Sequence, residues 1–286
     1  MTRSESVRPE WRAALAQAGV HNLAVRLLEE PVARGLPGRW EALDKPGIGG
    51  RRRWRWSVPL AAGAQTLYVK RYDAAALPEQ WDRILRQSAR HSRAWWEFTQ
   101  SRRLAEANVP AAAAVAFVEE MNGRLERRSA VVLESVPGDA LDRVWPEALA
   151  QHAPLTLGAA RHDLARRLGR FVSAFHGTGL CHRDLYLCHV FVDVPLDYSS
   201  PPRFALIDLA RTHQPRWRRT RWILKDLSQL DVSARQIGAS RSDRLRFLLA
   251  YLGLQRKAAR TRWYARRIVH RSDRVLRRIA RKSRGG

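Results

Sequence analysis

Cysteine is almost missing from this chain: Cys181 and Cys188 are the only two in 286 residues. That excludes a disulfide framework and suits a reducing compartment. Long apolar runs are missing as well. The longest, Ala111 to Val118, falls far short of the roughly 20 residues a membrane-spanning helix needs. Residues 1–20 mix Arg, Glu and polar side chains without an apolar core, which is not the form of a secretory signal. A cytoplasmic protein is expected. Acid is scarce too: 27 Asp and Glu stand against 52 Lys and Arg, for a net charge of +25. That sign calls for a polyanionic partner or surface, with nucleic acid, anionic lipid and phosphorylated sugars all open. The 45% hydrophobic content is that of a globular chain, and the length suits two lobes.

The chemistry is concentrated in one stretch. His182-Arg183-Asp184 precedes the apolar segment Val190-Phe191-Val192, and Asp208 closes a second apolar strand, Ala205-Leu206-Ile207. Protein-kinase-like enzymes carry a catalytic aspartate and a magnesium aspartate in this order. Asp184 is then placed to accept or orient the proton of an attacking hydroxyl, with Arg183 neutralising nearby anions. Asp208 ends a strand too apolar to tolerate an unpaired carboxylate cheaply, and Mg²⁺ would satisfy it. The helical periodicity of Leu164, Leu168, Val172 and Phe175 predicts a helix over 161–178 that delivers the chain to His182.

An ATP site needs a lysine and an acid to hold it. Thr66 to Tyr72 alternates as a strand around Lys70, the candidate for the α/β-phosphates. Glu97, in a helical segment over 92–104, is the expected partner; Glu106 on the same helix competes. Gly47, Gly49 and Gly50 fall where a hairpin would fold over the nucleotide. Ala130 to Glu134 reads as a strand broken by Pro137-Gly138, the expected interlobe hinge, with Glu134 to Val136 offering backbone groups to adenine. Asp226 reads as structural, at the start of a helix, where it can cap the helix or brace the catalytic loop.

Three familiar features are absent. The glycines do not follow Gly-x-Gly-x-x-Gly, Leu209-Ala210 replaces the Phe-Gly of signalling kinases, and His189 stands where a second metal ligand is usually asparagine. Imidazole is a poorer ligand than a carbonyl oxygen for hard Mg²⁺, so His189 either ligates metal or hydrogen-bonds Asp208 or phosphate. Cys181-His182 with Cys188-His189 as a zinc quartet is a weaker alternative, because it leaves Asp184 unused.

The string His182-Arg183-Asp184-Leu185-Tyr186-Leu187-Cys188-His189-Val190-Phe191, followed by Ile207-Asp208-Leu209-Ala210-Arg211 and Lys225-Asp226-Leu227, resembles the lipopolysaccharide core kinases of the Kdo/WaaP type. In that family Tyr and Cys-His follow the catalytic aspartate, so His189 is a family trait. The resemblance spans roughly Gly49 to Leu230. It implies an α+β, two-lobed protein-kinase-like fold with a small β-rich N-lobe over 1–134 and a larger helical C-lobe over 135–255. It also implies ATP with Mg²⁺, and transfer of the γ-phosphoryl group to a sugar hydroxyl of the lipopolysaccharide inner core, typically heptose, at the inner face of the inner membrane. A protein or small-molecule kinase is the alternative enzyme. A pseudokinase scaffold binding lipid or nucleic acid is the alternative from another class. The remaining segment, 256–286, is crowded with arginine, and its apolar residues are compatible with an amphipathic basic helix. Such a helix suits an anionic membrane surface better than nucleic acid.

Overall fold

The computed structural model describes residues 2–29, 32, 35–43, 50–254 and 258–282. The chain divides into two compact units. The first comprises Met1–Glu106, Ala112–Ser135 and Asp208–Arg211; the second comprises Ala107–Ala111, Val136–Ile207 and Thr212–Gly286. In order, the elements are β1 (Thr2–Val7), α1 (Pro9–Gln17), α2 (Leu23–Leu28), β2 (Arg39–Ala42), β3 (Arg51–Leu60), β4 (Gly63–Asp73), α3 (Leu77–Arg86), α4 (Arg93–Glu106), β5 (Ala114–Asn122) and β6 (Leu125–Glu134). Then follow β7 (Asp139–Ala140), α5 (Leu141–Ala150), α6 (Gly158–Gly177), β8 (Val190–Asp193), β9 (Arg203–Leu206), α7 (Arg219–Gln236), α8 (Arg241–Leu252) and α9 (Ala259–Lys282).

The first unit is built on an antiparallel sheet in the order β1-β5-β6-β4-β3-β2. The period-2 alternation of β4 decides which side chains meet which layer. Leu67 and Val69 join Trp56, Val58 and Val132 in a core closed by Trp11, Leu15, Leu23 and Leu27 from α1 and α2. Tyr68 and Tyr72 point the other way, into a cluster with Ala94 and Phe98 of α4, and Lys70 lies between them on that face. A slip of one residue in β4 would put the lysine into the apolar layer. Just before β3, Gly50 O accepts the Asp73 N–H at 2.8 Å, an approach too close for a side chain, since a Cβ would lie 2.0 Å from the carbonyl oxygen of Asp73.

The second unit is mainly helical, with a small β7-β8-β9 sheet. Gly169 lets α6 close on α8, since a Cβ would come within 2.4 Å of the Phe247 carbonyl oxygen. α9 packs along α7 and buries Tyr264 and Ile268, while Ser272 Oγ donates to Ser228 O at 3.2 Å and Asp273 pairs with Arg235 at 2.6 Å. No helix among the described residues is long and apolar enough to cross a membrane.

Candidate active site

In the first unit the alternation of β4 aims Lys70 at α4, and the ammonium meets two carboxylates. Its Nζ donates to Glu97 Oε1 at 2.7 Å and to Asp208 Oδ1 at 2.8 Å. Burial alone would push the Lys70 pKa down; the charges of Asp208 and Glu97 outweigh it, so the pKa ends above its ordinary value. Glu97 is buried and takes two further donors, the Tyr72 hydroxyl at 3.3 Å and the Leu209 N–H at 3.2 Å. The competing Glu106, last residue of α4, is exposed. Tyr72 stays protonated, its pKa raised well above the usual value by burial and then by the charges of Glu97 and Asp208. The Arg93 guanidinium lies 4.9 Å from its ring centroid. Asp208 is approached on its other oxygen by Arg53, the register partner of Lys70, at 3.6 Å. Gln87 pins the following turn by donating to Ala210 O at 2.6 Å.

In the second unit, His182 to Leu187 are held from one face of α7. Asp226 accepts the His182 N–H at 2.7 Å and the Arg183 N–H at 2.8 Å, Gln229 accepts the Leu185 N–H at 3.2 Å, and Ser233 accepts the Leu187 N–H at 3.1 Å. Lys225 and Gln229 both donate to the Arg183 carbonyl. Asp226 therefore braces the loop, but from the middle of a helix rather than from its start, which corrects the capping position expected. The helix begins at Arg219, and its N-cap, Arg218, sits at φ 54° without a side-chain cap, so no capping residue announces it. Asp184 is half-buried, and its carbonyl accepts His189 Nδ1 at 2.7 Å. That bond fixes the His189 tautomer with the proton on Nδ1. His182 Nε2 donates to Ile207 O at 3.0 Å. The Arg183 side chain is buried, with its guanidinium 5.8 Å from the Trp222 ring centroid. Arg183 (φ 70°) and Asp208 (φ 60°) both adopt the left-handed conformation that non-glycine residues avoid, a strain that concentrates at functional sites.

His176, Cys181 and Asp226 gather their polar atoms within 4.8 Å of one another in the interior. This cluster is a hydrogen-bond hub. Both Asp226 oxygens are taken by N–H donors, His176 Nε2 also reaches Oδ2 at 3.2 Å, and His176 Nδ1 meets the Tyr251 hydroxyl at 2.9 Å. Burial, then the Asp226 charge, pushes the Cys181 thiol up to about 12, which keeps it a neutral thiol within this hub.

The remaining sequence candidates fall as follows. Gly47 and Gly49 lie outside the described residues. Gly50 and Glu134 belong to the first unit. The N–H of Glu134 is spent on Ala113 O at 2.8 Å, and its carboxylate accepts Trp11 Nε1 at 3.0 Å and pairs with Arg8 at 3.2 Å. Tyr72, Arg53, Gln229, Ser233 and His176 were not singled out from sequence. The i, i+3, i+7 spacing of Asp226, Gln229 and Ser233 is a signal that would have found two of them.

A sheet whose strand lysine is clamped to a helix glutamate, followed by a helical unit carrying a braced His-Arg-Asp loop, defines a protein-kinase-like fold. Within it, the chain belongs to the lipopolysaccharide kinase (Kdo/WaaP) family, whose model matches residues 50–251. It is 32% identical over 156 residues to the lipopolysaccharide core heptose(I) kinase WaaP of Pseudomonas aeruginosa, covering 54% of this chain and 58% of that protein. It is 28% identical over 170 residues to the 3-deoxy-D-manno-octulosonic acid kinase of Stenotrophomonas maltophilia, covering 59% and 63% respectively. Both matches span less than two thirds of the relative's length. A solved structure of WaaP in complex with acyl carrier protein superposes with a TM-score of 0.63 at 25% identity, covering 94% of this chain and 99% of that one.

Proposed function

We propose that the protein transfers the γ-phosphoryl group of ATP to a sugar hydroxyl of the lipopolysaccharide inner core, with heptose as the acceptor. The observation that carries this reading is the Lys70 ammonium shared between Glu97 and Asp208. An ammonium held in this way between a helix acid and a strand-end acid is the arrangement that sets a lysine on the phosphates of a bound nucleotide. In the proposed mechanism Lys70, oriented by Glu97, holds phosphate oxygens, and Asp184 takes the proton of the acceptor hydroxyl as that oxygen bonds to phosphorus and the bond to the β-phosphate oxygen breaks. The Asp208 carboxylate offers hard oxygen ligands that fit Mg²⁺. Bound there, the metal supplies neutralisation of phosphate charge. The Nδ1–H tautomer of His189 keeps a lone pair on Nε2, the form a metal-binding histidine takes, while its bond to the Asp184 carbonyl steadies the catalytic loop. Arg183 acts on loop position through Trp222 and its backbone contacts. Adenine is assigned to the backbone of residues 134–136, at Glu134 through the carbonyl, since the N–H is already used. Gly47, Gly49 and Gly50 are assigned to the phosphates.

The acceptor is carried over from the heptose and 3-deoxy-D-manno-octulosonic acid kinases to which the chain is similar. We place the enzyme in the cytoplasm, peripheral to the inner face of the inner membrane, with the arginine-rich outer side of α9 toward anionic groups. An acyl carrier protein is a second proposed partner. An apolar cavity of about 550 Å³ in the second unit, lined by Leu164, Leu168, Leu245, Leu248 and Ile268 among others, has the character of an acyl-chain site.

The test is ATP turnover with Mg²⁺, with intact or deacylated core glycolipid and without either, for wild type and Asp184→Ala. Turnover that depends on the core, and that falls by about a thousandfold in the variant, is expected. Absence of nucleotide binding, with tight salt-sensitive binding to lipid or nucleic acid, would favour the scaffold instead.

A further inference from the structure

α3 is turned inside out. Its polar Gln80 and Arg83 are 5% and 1% exposed, while Leu77, Trp81 and Leu85 are 66%, 60% and 73% exposed. These three stand at i, i+4 and i+8, so they form one continuous stripe along a helix about 15 Å long. The inversion is anchored from within. β4 stops pairing with β6 at Asp73–Arg128, and α3 takes over the strand edge left open. The Gln80 amide donates to Glu126 O at 2.6 Å and accepts the Glu126 N–H at 3.1 Å, standing in for a neighbouring strand. Arg83 donates to the carbonyls of Arg124, Ser88 and, at 2.6 Å, His91. Rotating the helix to bury its apolar side would break all of these bonds in the interior, at a cost its three apolar residues do not offset.

The charge around the stripe identifies what it faces. Of the acids on α3, Glu79 is paired with Arg51 and Arg93 and Asp82 with Arg86, while Arg90 follows the helix and Arg124 and Arg127 are exposed at the start of the strand that α3 grips, so the surroundings of the stripe are basic on balance. A second copy, itself at +25, would meet this surface with like charge. A tryptophan between two leucines on one helix stripe, in surroundings that are basic on balance, suits the boundary between anionic headgroups and acyl chains. We propose that the Leu77-Trp81-Leu85 face of α3 is an interfacial anchor that inserts into an anionic bilayer. It rests on the first unit alone and holds whichever sugar is phosphorylated.

The test is co-sedimentation of the full chain with phosphatidylcholine vesicles with or without phosphatidylglycerol. Wild type should bind the anionic vesicles, and Trp81→Ser/Leu85→Ser should weaken that binding by about tenfold or more with an unchanged Tm. If the double variant melts early, Trp81→Phe with bromine-labelled lipid replaces it, and the quenched tryptophan emission should fall. Equal binding by the double variant, binding lost instead on reversing the α9 arginines, absence of wild-type binding, or a wild-type dimer that the double variant abolishes would each overturn the proposal. Core-dependent ATP turnover is scored separately, so its failure leaves the vesicle result standing.

Discussion

The two units hold their functional residues by opposite means. In the first, Lys70, Glu97, Asp208 and Arg53 hold one another by charge, on side chains that reach across from β3, β4, α4 and the turn at 208–211. In the second, the loop at 182–187 is held through the backbone N–H groups of residues 182, 183, 185 and 187, answered by side chains from a single face of α7. The first arrangement can exchange its partners when a charged ligand arrives. The second cannot, because each buried N–H has one acceptor and no water to replace it. In the proposed phosphoryl transfer the first would supply charges that can be handed to phosphate, and the second a base that stays where it is.

The contrast is most exposed by a pair of substitutions. Asp208→Asn should lower turnover by about a thousandfold while leaving thermal melting nearly unchanged. Asp226→Asn, which turns an amide N–H₂ toward a buried N–H, should cost about 3 kcal/mol and roughly 10 °C in Tm, and take activity with it. Similar melting for the two variants would break the distinction. A finer test lies within the charged cluster. Tyr72→Phe removes one donor to Glu97 and should cost about 1 kcal/mol in stability, raising the KM for ATP a few-fold with kcat nearly intact. A loss confined to stability would make Tyr72 a packing residue only. The smallest effect concerns the interior of the second unit. With its pKa pushed up to about 12, Cys181 carries about one thiolate in ten thousand molecules at pH 8, so iodoacetamide should label Cys188 and leave Cys181 unmodified until the protein unfolds. Labelling of Cys181 in the folded protein would show that the loop opens locally.

Legibility in the sequence followed how local each signal was. Lys70 was readable because alternation around it marks a strand, and Glu97 because its helix has a clear period; both are positions along one element. Asp226 reads from sequence as structural, either capping a helix or bracing the loop, but its place within α7 does not, since that helix starts without a capping side chain. β1 went unread because it is a polar edge strand, Thr2 to Val7, whose partner β5 lies more than a hundred residues away. α3 and α9 show the same limit from both sides. Both have amphipathic sequences, and only tertiary contacts reveal that α9 buries Tyr264 and Ile268 while α3 turns Trp81 and Leu85 outward. A period tells which residues share a face; it does not tell which way the face is turned.

The packing of α9 on α7 carries a warning for anyone shortening this protein. Ser272 and Asp273 fasten α9 to Ser228 and Arg235, and α7 is the helix whose Asp226, Gln229 and Ser233 grip residues 182–187. Cutting the chain before residue 259 therefore removes a buttress, not a dispensable tail, and an inactive truncate would report slackened catalytic machinery rather than lost attraction to lipid.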